Sequence, residues 1–282
     1  MIHRQDLPAL FFYYLGYSRV RNLIFRFRRE PVTRFVTFHD ILPEAFSCFK
    51  GNLCFLKLCT NVVSIEDYFS GRLSLDKINV VITFDDGYGS WLTYAVPALK
   101  ELGLPAIFFV TSGFVGLPEQ EEAKFVRSKL ALRPGRDRII RGLAFKDVRR
   151  IVEEGFTIGG HTLNHCDLGK VRDSTQVKNE IVDDKKKLEK VTGVKIEYFA
   201  YPSGTYYNPE IDLIKALKES GYKSAMTLEV GFNMARSNPY LLHRELTEAS
   251  MPAAVFKARV FGNSDALSSI KAKLFHKNWN LG

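Results

Sequence analysis

Asn79-Val80-Val81-Ile82-Thr83-Phe84-Asp85-Asp86-Gly87 opens the most regular pattern in this 282-residue chain. It is an apolar run that ends in two carboxylates and a glycine. A helical stretch over 91–102, Gly103 and a second apolar run over 105–110 follow. The helix–glycine–apolar unit returns three times: 145–154, Gly155, 156–158; 176–192, Gly193, 198–201; and 209–220, Gly221, 222–226. A glycine just past a helix takes the left-handed conformation that other residues avoid. Short apolar runs between helices read as parallel strands buried on both faces. Repetition of the unit predicts an α/β barrel or a doubly wound sheet. Residues 34–39 add a strand upstream. Asn208-Pro209 reads as a helix cap with proline at the first helical position. Val177, Ile181, Leu188 and Val191 form a helical stripe, with Asp184 on it where an apolar residue is expected.

The rest of the composition is that of an ordinary globular protein, with 46% hydrophobic and 25% charged residues. The net charge of +9 favours acidic partners such as anionic lipid, a phosphorylated carrier or nucleic acid. Zinc-finger and RNA-recognition spacings are missing, so nucleic acid is not expected. The four cysteines (Cys48, Cys54, Cys59, Cys166) include no Cys-x-x-Cys pair and suit a reduced compartment. No apolar run reaches the length of a membrane span. An aromatic-rich stretch, 7–17, is followed by Arg19, Arg21, Arg26, Arg28 and Arg29. Such a segment can lie on an anionic membrane face or pack its aromatic side on the domain. It lacks the basic leader and cleavage site of a signal peptide, so the expected location is cytoplasmic, with peripheral contact at the inner membrane face. Residues 44–75 show no clear period, and 116–141 read as a charged excursion, helical near 121–130. The expected division is an arm over 1–30, a single catalytic domain over 31–270 and a tail over 271–282.

Two islands carry the chemistry. Asp85-Asp86 ends a strand, where parallel α/β sheets open their ligand crevice. Neighbours on a strand point opposite ways, so Gly87 is expected to turn the chain and let both carboxylates converge. His161-Thr162-Leu163-Asn164-His165 spaces two imidazoles one helical turn apart, within reach of a single ion. Two histidines and one aspartate make a facial ligand set for a divalent metal with positions open for water. The other aspartate is then free to act as a base, which predicts metal-assisted hydrolysis. Cys166 could add a soft ligand or fill space in the core.

With these motifs the chain resembles the polysaccharide deacetylases related to chitooligosaccharide deacetylase (carbohydrate esterase family 4). Members carry Thr-Phe-Asp-Asp-Gly, His-Ser/Thr-x-x-His, an Arg-x-Pro-x-Gly loop and a later Leu-x-His. The resemblance runs from about Val36 to Glu248. It implies a distorted (β/α) barrel, with Asp85 as the base and Asp86, His161 and His165 as ligands to a divalent metal. Zinc is expected; cobalt, nickel or manganese would also suit. The third motif departs, because Ala200-Tyr201-Pro202-Ser203-Gly204 has alanine in place of the arginine that positions the base. A fourth, Asp-containing motif is missing too, with Ala225-Met226-Thr227 in its region. Joint loss leaves no orphan buried charge. The pattern resembles a branch with an Ala-Tyr-Pro-x-Gly loop, and a differently tuned base is expected. In the family the Ser203 position offers a backbone N–H to the developing oxyanion, and Gly204 permits the close approach. For the acid, Leu241-Leu242-His243 matches Leu-x-His and His39 ends the first strand; His243 is favoured, though this branch often carries arginine here, as in Arg244.

The expected activity is removal of an N-acetyl group from a sugar, whether polysaccharide, oligosaccharide or lipid-linked precursor. Two alternatives remain at this stage. One is a catalytically silent carbohydrate- or lipid-binding module on the same fold. The other is an amidohydrolase acting on another amide or a cyclic imide.

Overall fold

The computed structural model describes residues 6–130, 140–263 and 265. Strands rich in Val, Ile, Phe and Thr line up in parallel: β1 (Thr33–Phe38), β2 (Asn61–Val62), β3 (Asn79–Asp86), β4 (Ile107–Val110), β5 (Thr157–Gly160), β6 (Tyr198–Ala200), β7 (Ser224–Met226) and β8 (Glu245–Leu246). Their order is β7-β6-β5-β4-β3-β1-β8, with β2 beside the start of β3. One segment closes the curl. Leu242 bridges Met226 of β7, and a few residues on β8 pairs with Val36 and Thr37 of β1. The result is a distorted (β/α) barrel, the fold that the family resemblance implies and one of the two that the repeated unit allows.

Side chains alternate across the sheet with period two. Phe35, Val81, Ile107, Phe109, Met226 and Leu242 fill the barrel interior as one cluster. Val36, Ile82, Phe84 and Phe108 belong to the other cluster, between the sheet and the helices. Phe84 and Phe108 stack there at 4.7 Å, with Trp91 edge-on to Phe84. Every residue of β1 and β3 is buried, Arg34 and the threonines included, and Val80-Val81-Ile82 at the centre of β3 reads as an apolar run.

The helices are α1 (Leu7–Tyr14), α2 (Tyr17–Arg28), α3 (Phe46–Cys59), α4 (Ile65–Phe69), α5 (Val96–Leu102), α6 (Glu119–Lys129), α7 (Phe145–Glu153), α8 (Ser174–Thr192), α9 (Leu213–Glu219) and α10 (Ala253–Val260). Gly103, Gly155, Gly193 and Gly221 all have positive φ, so the glycine punctuation reads as expected. The stretch 44–75, aperiodic in sequence, holds α3, β2 and α4, the last begun by a Ser64–Asp67 capping box.

Two boundaries differ from expectation. Helix α9 starts at Leu213, capped by Asp212, whose carboxylate accepts from the Lys215 N–H. Asn208 instead caps a turn, accepting from the Glu210 and Ile211 N–H groups while its amide donates to Leu168 and Val171 carbonyls. The stretch 91–102 is also not one helix. A wide turn over Trp91–Ala95, of π-helical spacing, precedes α5. The tail at 271–282 lies outside the described residues.

Candidate active site

Strand alternation puts Thr83 and Asp85 on the interior face of β3 and would send Asp86 outward. The backbone prevents that by turning at Asp86 itself (φ 91°), one residue before the expected pivot, and again at Gly87 (φ 111°). Both carboxylates therefore reach one cavity. On β5 the glycine pair is a requirement of space: a Cβ on Gly159 would sit 2.4 Å from the Phe109 ring, and one on Gly160 2.3 Å from the Tyr222 hydroxyl. The two histidines then arrive on a tight turn rather than a helix, with Thr162 and His165 at φ 64° and 52°. Among the described residues five non-glycine positions have positive φ, and four of them (Asp86, Thr162, His165, Ser203) belong to this site. Backbone strain of this kind costs about 1–3 kcal/mol per residue and persists where the surrounding fold dictates it.

The imidazoles are oriented from behind. His161 Nδ1 lies 2.7 Å from the Ala200 carbonyl and His165 Nδ1 2.9 Å from the Lys129 carbonyl. A carbonyl only accepts, so each Nδ1 carries a proton and each ring turns its Nε2 forward. Those nitrogens lie 3.4 and 3.3 Å from Asp86 Oδ1, a buried oxygen without a hydrogen-bond partner among the described residues. The three ligand atoms fall within 4.8 Å of one another. Three such atoms facing one point, with each ring held by its Nδ1, fit a divalent cation. Cys166 is not part of this group; it packs at the edge of the core.

Asp85 has a different partner. Arg244, fully buried, donates from Nη1 to Asp85 Oδ1 at 2.7 Å, and from Nε to the Thr227 carbonyl at 2.9 Å. Burial pushes the Asp85 carboxyl up, but the guanidinium, with His161 and His39 nearby, outweighs it and holds the group below its ordinary value. Burial likewise acts on Asp86 and is outweighed by the two histidines, which hold it well below the usual carboxylate range. Tyr88 also lines the cavity; burial and the Asp86 carboxylate keep its phenol protonated.

Asp184 has a role that its place on the α8 stripe hid. Its buried carboxylate accepts from the Ser112 and His161 backbone N–H groups, both at 3.0 Å. It thus clamps the end of β4 to the end of β5 and fixes where His161 leaves the sheet. Burial pushes its carboxyl up to about 7.

The cavity is lined by His39, Asp85, Asp86, His161, His165 and Ser203, which gathers six of the seven residues read from the sequence. His39 continues the inward side of β1, and its carbonyl accepts from the buried Trp91 indole at 3.0 Å. His243 lies elsewhere. Leu242 points into the barrel, so period two turns Arg244 inward and His243 out. The His243 ring sits beside Gly231 and 3.8 Å from the Glu229 carboxylate. Arg244 was therefore findable by strand alternation; Asp184 showed only as a misfit on its helical stripe, and Tyr88 carries no signal that sequence spacing reveals.

The polysaccharide deacetylase family profile matches residues 73–225, more than half of the chain. This chain belongs to the polysaccharide deacetylase family. YxkH of Bacillus subtilis, whose name places it provisionally in the same family, is 25% identical over 181 residues, 64% of this chain and 56% of that protein. The peptidoglycan-N-acetylglucosamine deacetylase of Bacillus cereus is 35% identical over 79 residues, 28% of this chain and 35% of its own length. The chain thus covers less than two thirds of either relative. In fold it is similar to the deacetylase PplD of Streptococcus pyogenes, solved with acetate, at TM-score 0.64 and 21% identity, covering 82% of this chain and 99% of that one. IcaB from Ammonifex degensii is similar at TM-score 0.65 and 23% identity, covering 83% and 97%. Against the polysaccharide deacetylase pattern, Ala200 is a departure, and Arg244, from the segment between β7 and β8, brings a guanidinium to Asp85.

Proposed function

We propose that this family member is a metal-dependent hydrolase that removes the N-acetyl group from a sugar. The observation that carries the reading is the pairing of two adjacent carboxylates with unlike partners. Asp86 faces two imidazole lone pairs, and Asp85 is kept ionised by Arg244. The cavity, about 260 Å³, is at the small end for ligand sites and suits an acyl group with the ring that bears it.

Asp86, His161 and His165 would hold the cation, with zinc the natural choice for two nitrogens and a carboxylate. Bound there, a divalent metal supplies Lewis acidity to the amide carbonyl and to the attacking water. Asp85 takes the proton from that water as it adds to the carbonyl. The Ser203 backbone N–H donates to the oxyanion. His39, the imidazole in the cavity that is not a ligand, gives a proton to the departing amine; this role passes to it from His243, whose ring lies outside. The Arg244–Asp85 ion pair is also the argument against a silent binding module, since that alternative leaned on the missing arginine.

The test is acetate release from N-acetylglucosamine oligomers by metal-loaded protein. His39→Gln should lower kcat/KM by about 10²–10⁴, the usual worth of a general acid, while His243→Gln changes it only a few-fold. A loaded wild type that releases no acetate from any N-acetylated sugar rejects the assignment.

Cation uptake gives a second check with the sign fixed by the ligands. Burial lowers the His165 pKa, but the Asp86 carboxylate outweighs it, and the net shift is above the ordinary 6.5. A raised pKa means that protons compete with the metal from a higher pH downward. Affinity for Zn²⁺, read by titration calorimetry, should therefore fall by about tenfold for each pH unit below that pKa for the one proton His165 takes up. An affinity constant from pH 8 to 5.5 rejects imidazole ligation.

A further inference from the structure

A surface helix normally buries its apolar stripe and shows its polar side to water. Helix α2 does the reverse. Its inward positions are Ser18, Arg21, Asn22 and Phe25, at spacing i, i+3, i+4, i+7. Arg21 lies 4.6 Å over the Phe232 ring and donates to the Gly262 carbonyl at 2.8 Å, while Phe25 meets Phe232 edge-on. The opposite stripe, at the same spacing, is Val20, Leu23, Ile24 and Phe27, all exposed, Phe27 to 91%. Helix α1 is apolar on both sides. Leu10 is buried and Tyr13 stacks on Phe261, with Phe11 and Leu15 more than 60% exposed.

Charge says what covers this face. No acidic residue occurs from Leu7 to Arg29, and Arg28 and Arg29 are exposed at the end of the stripe. Apolar and aromatic side chains flanked by arginines and no carboxylates are complementary to an anionic lipid surface. Position in the barrel adds an orientation. Asn22 and Phe25 share a recess with Val32 and Ile78, which lead into β1 and β3. Arg21 and Arg34, near the start of β1, share Asp265. The catalytic cavity opens beyond the other ends of the same strands. β1 has six residues, so at about 3.3 Å each its two ends lie about 20 Å apart.

We propose that the outward stripe of α2, with the exposed face of α1, seats the barrel on an anionic bilayer with the strand N-terminal end toward the lipid and the cavity open to water. This goes beyond the deacetylase reading and does not depend on it.

The full-length protein is sedimented with phosphatidylcholine vesicles, with and without phosphatidylglycerol. Binding is expected to the anionic vesicles and to fall with added salt. Leu23→Ser/Phe27→Ser, both exposed, should lower the partition by about tenfold or more. Arg28→Gln/Arg29→Gln should lower it by about 30-fold, two charges at roughly fivefold each near a bilayer. Unchanged thermal unfolding of both variants separates docking from misfolding. Equal sedimentation of wild type and variants, or none by the wild type, overturns the proposal. A solution dimer that Leu23→Ser/Phe27→Ser splits, without vesicle binding, assigns the face to a second copy and also overturns it. Orientation is read with brominated acyl chains. Phe27→Trp fluorescence should be quenched relative to the parent's tryptophans, and that of Tyr207→Trp, exposed beside Ser203, should not. Quenching only at Tyr207→Trp overturns the orientation.

Discussion

Replacing Arg244 with methionine is expected to destabilise the protein by about 3–5 kcal/mol, the usual cost of stranding one member of a buried ion pair. The stranded group is Asp85, whose buried carboxylate loses the 2.7 Å guanidinium contact. Thr83 and the Thr227 carbonyl lose a donor as well. The effect on catalysis has a defined sign. Burial raises the Asp85 pKa and Arg244 is the largest opposing influence, so removing it moves the pKa up and protonates the base at lower proton concentration. The acid limb of the kcat/KM profile should move to higher pH, with activity partly regained in alkaline buffer. Denaturant unfolding of Arg244→Met/Asp85→Asn should show most of the lost stability restored, because the double variant has no unpaired charge. A double variant no more stable than Arg244→Met would mean that the two side chains are not coupled.

Asp85→Asn alone is expected to lower kcat/KM by about 10²–10⁴, the range for removing a general base. Cation affinity should not change, since Asp86, His161 and His165 remain and the amide oxygen introduced by Asp85→Asn can still accept from Arg244. Calorimetry of cation binding alongside acetate release separates the two roles that adjacent carboxylates are assigned. Equal loss of both would show that Asp85 is a ligand; loss of neither would remove it from the reaction. In the wild type the acid limb should follow the imidazoles, because Asp85 is held below the ordinary carboxylate range.

Much of this was legible in the chain because the strands are short, parallel and closed by glycines that stop each helix. Apolar runs before Asp85 and before Gly159-Gly160 marked two strand ends, and strand ends are where the barrel opens. What spacing could not show was convergence across the barrel. His161 and His165 have helical spacing, yet they meet through positive φ at Thr162 and His165 itself. Asp184 is part of an apolar stripe by period, and only the packing of α8 against two strand ends reveals two N–H groups waiting for it. The choice between His243 and Arg244 was decidable by alternation, once Leu242 is known to point inward. The arm gave a true amphipathic signal, but periodicity does not say which side of a helix meets the domain.

The guanidinium paired with Asp85 comes from the last barrel segment, and His39 of the cavity from the first. Neither lies within residues 73–225, the stretch that the family shares. A fragment trimmed to those bounds would keep both aspartates, both ligand histidines and Ser203. It would lack β1 and β8, leave Asp85 without its counter-ion and open the wall on which the cavity is built. The recognisable stretch is thus a half-furnished room, completed by flanks in which only His39 and the segment 241–244 stand out in sequence as site candidates.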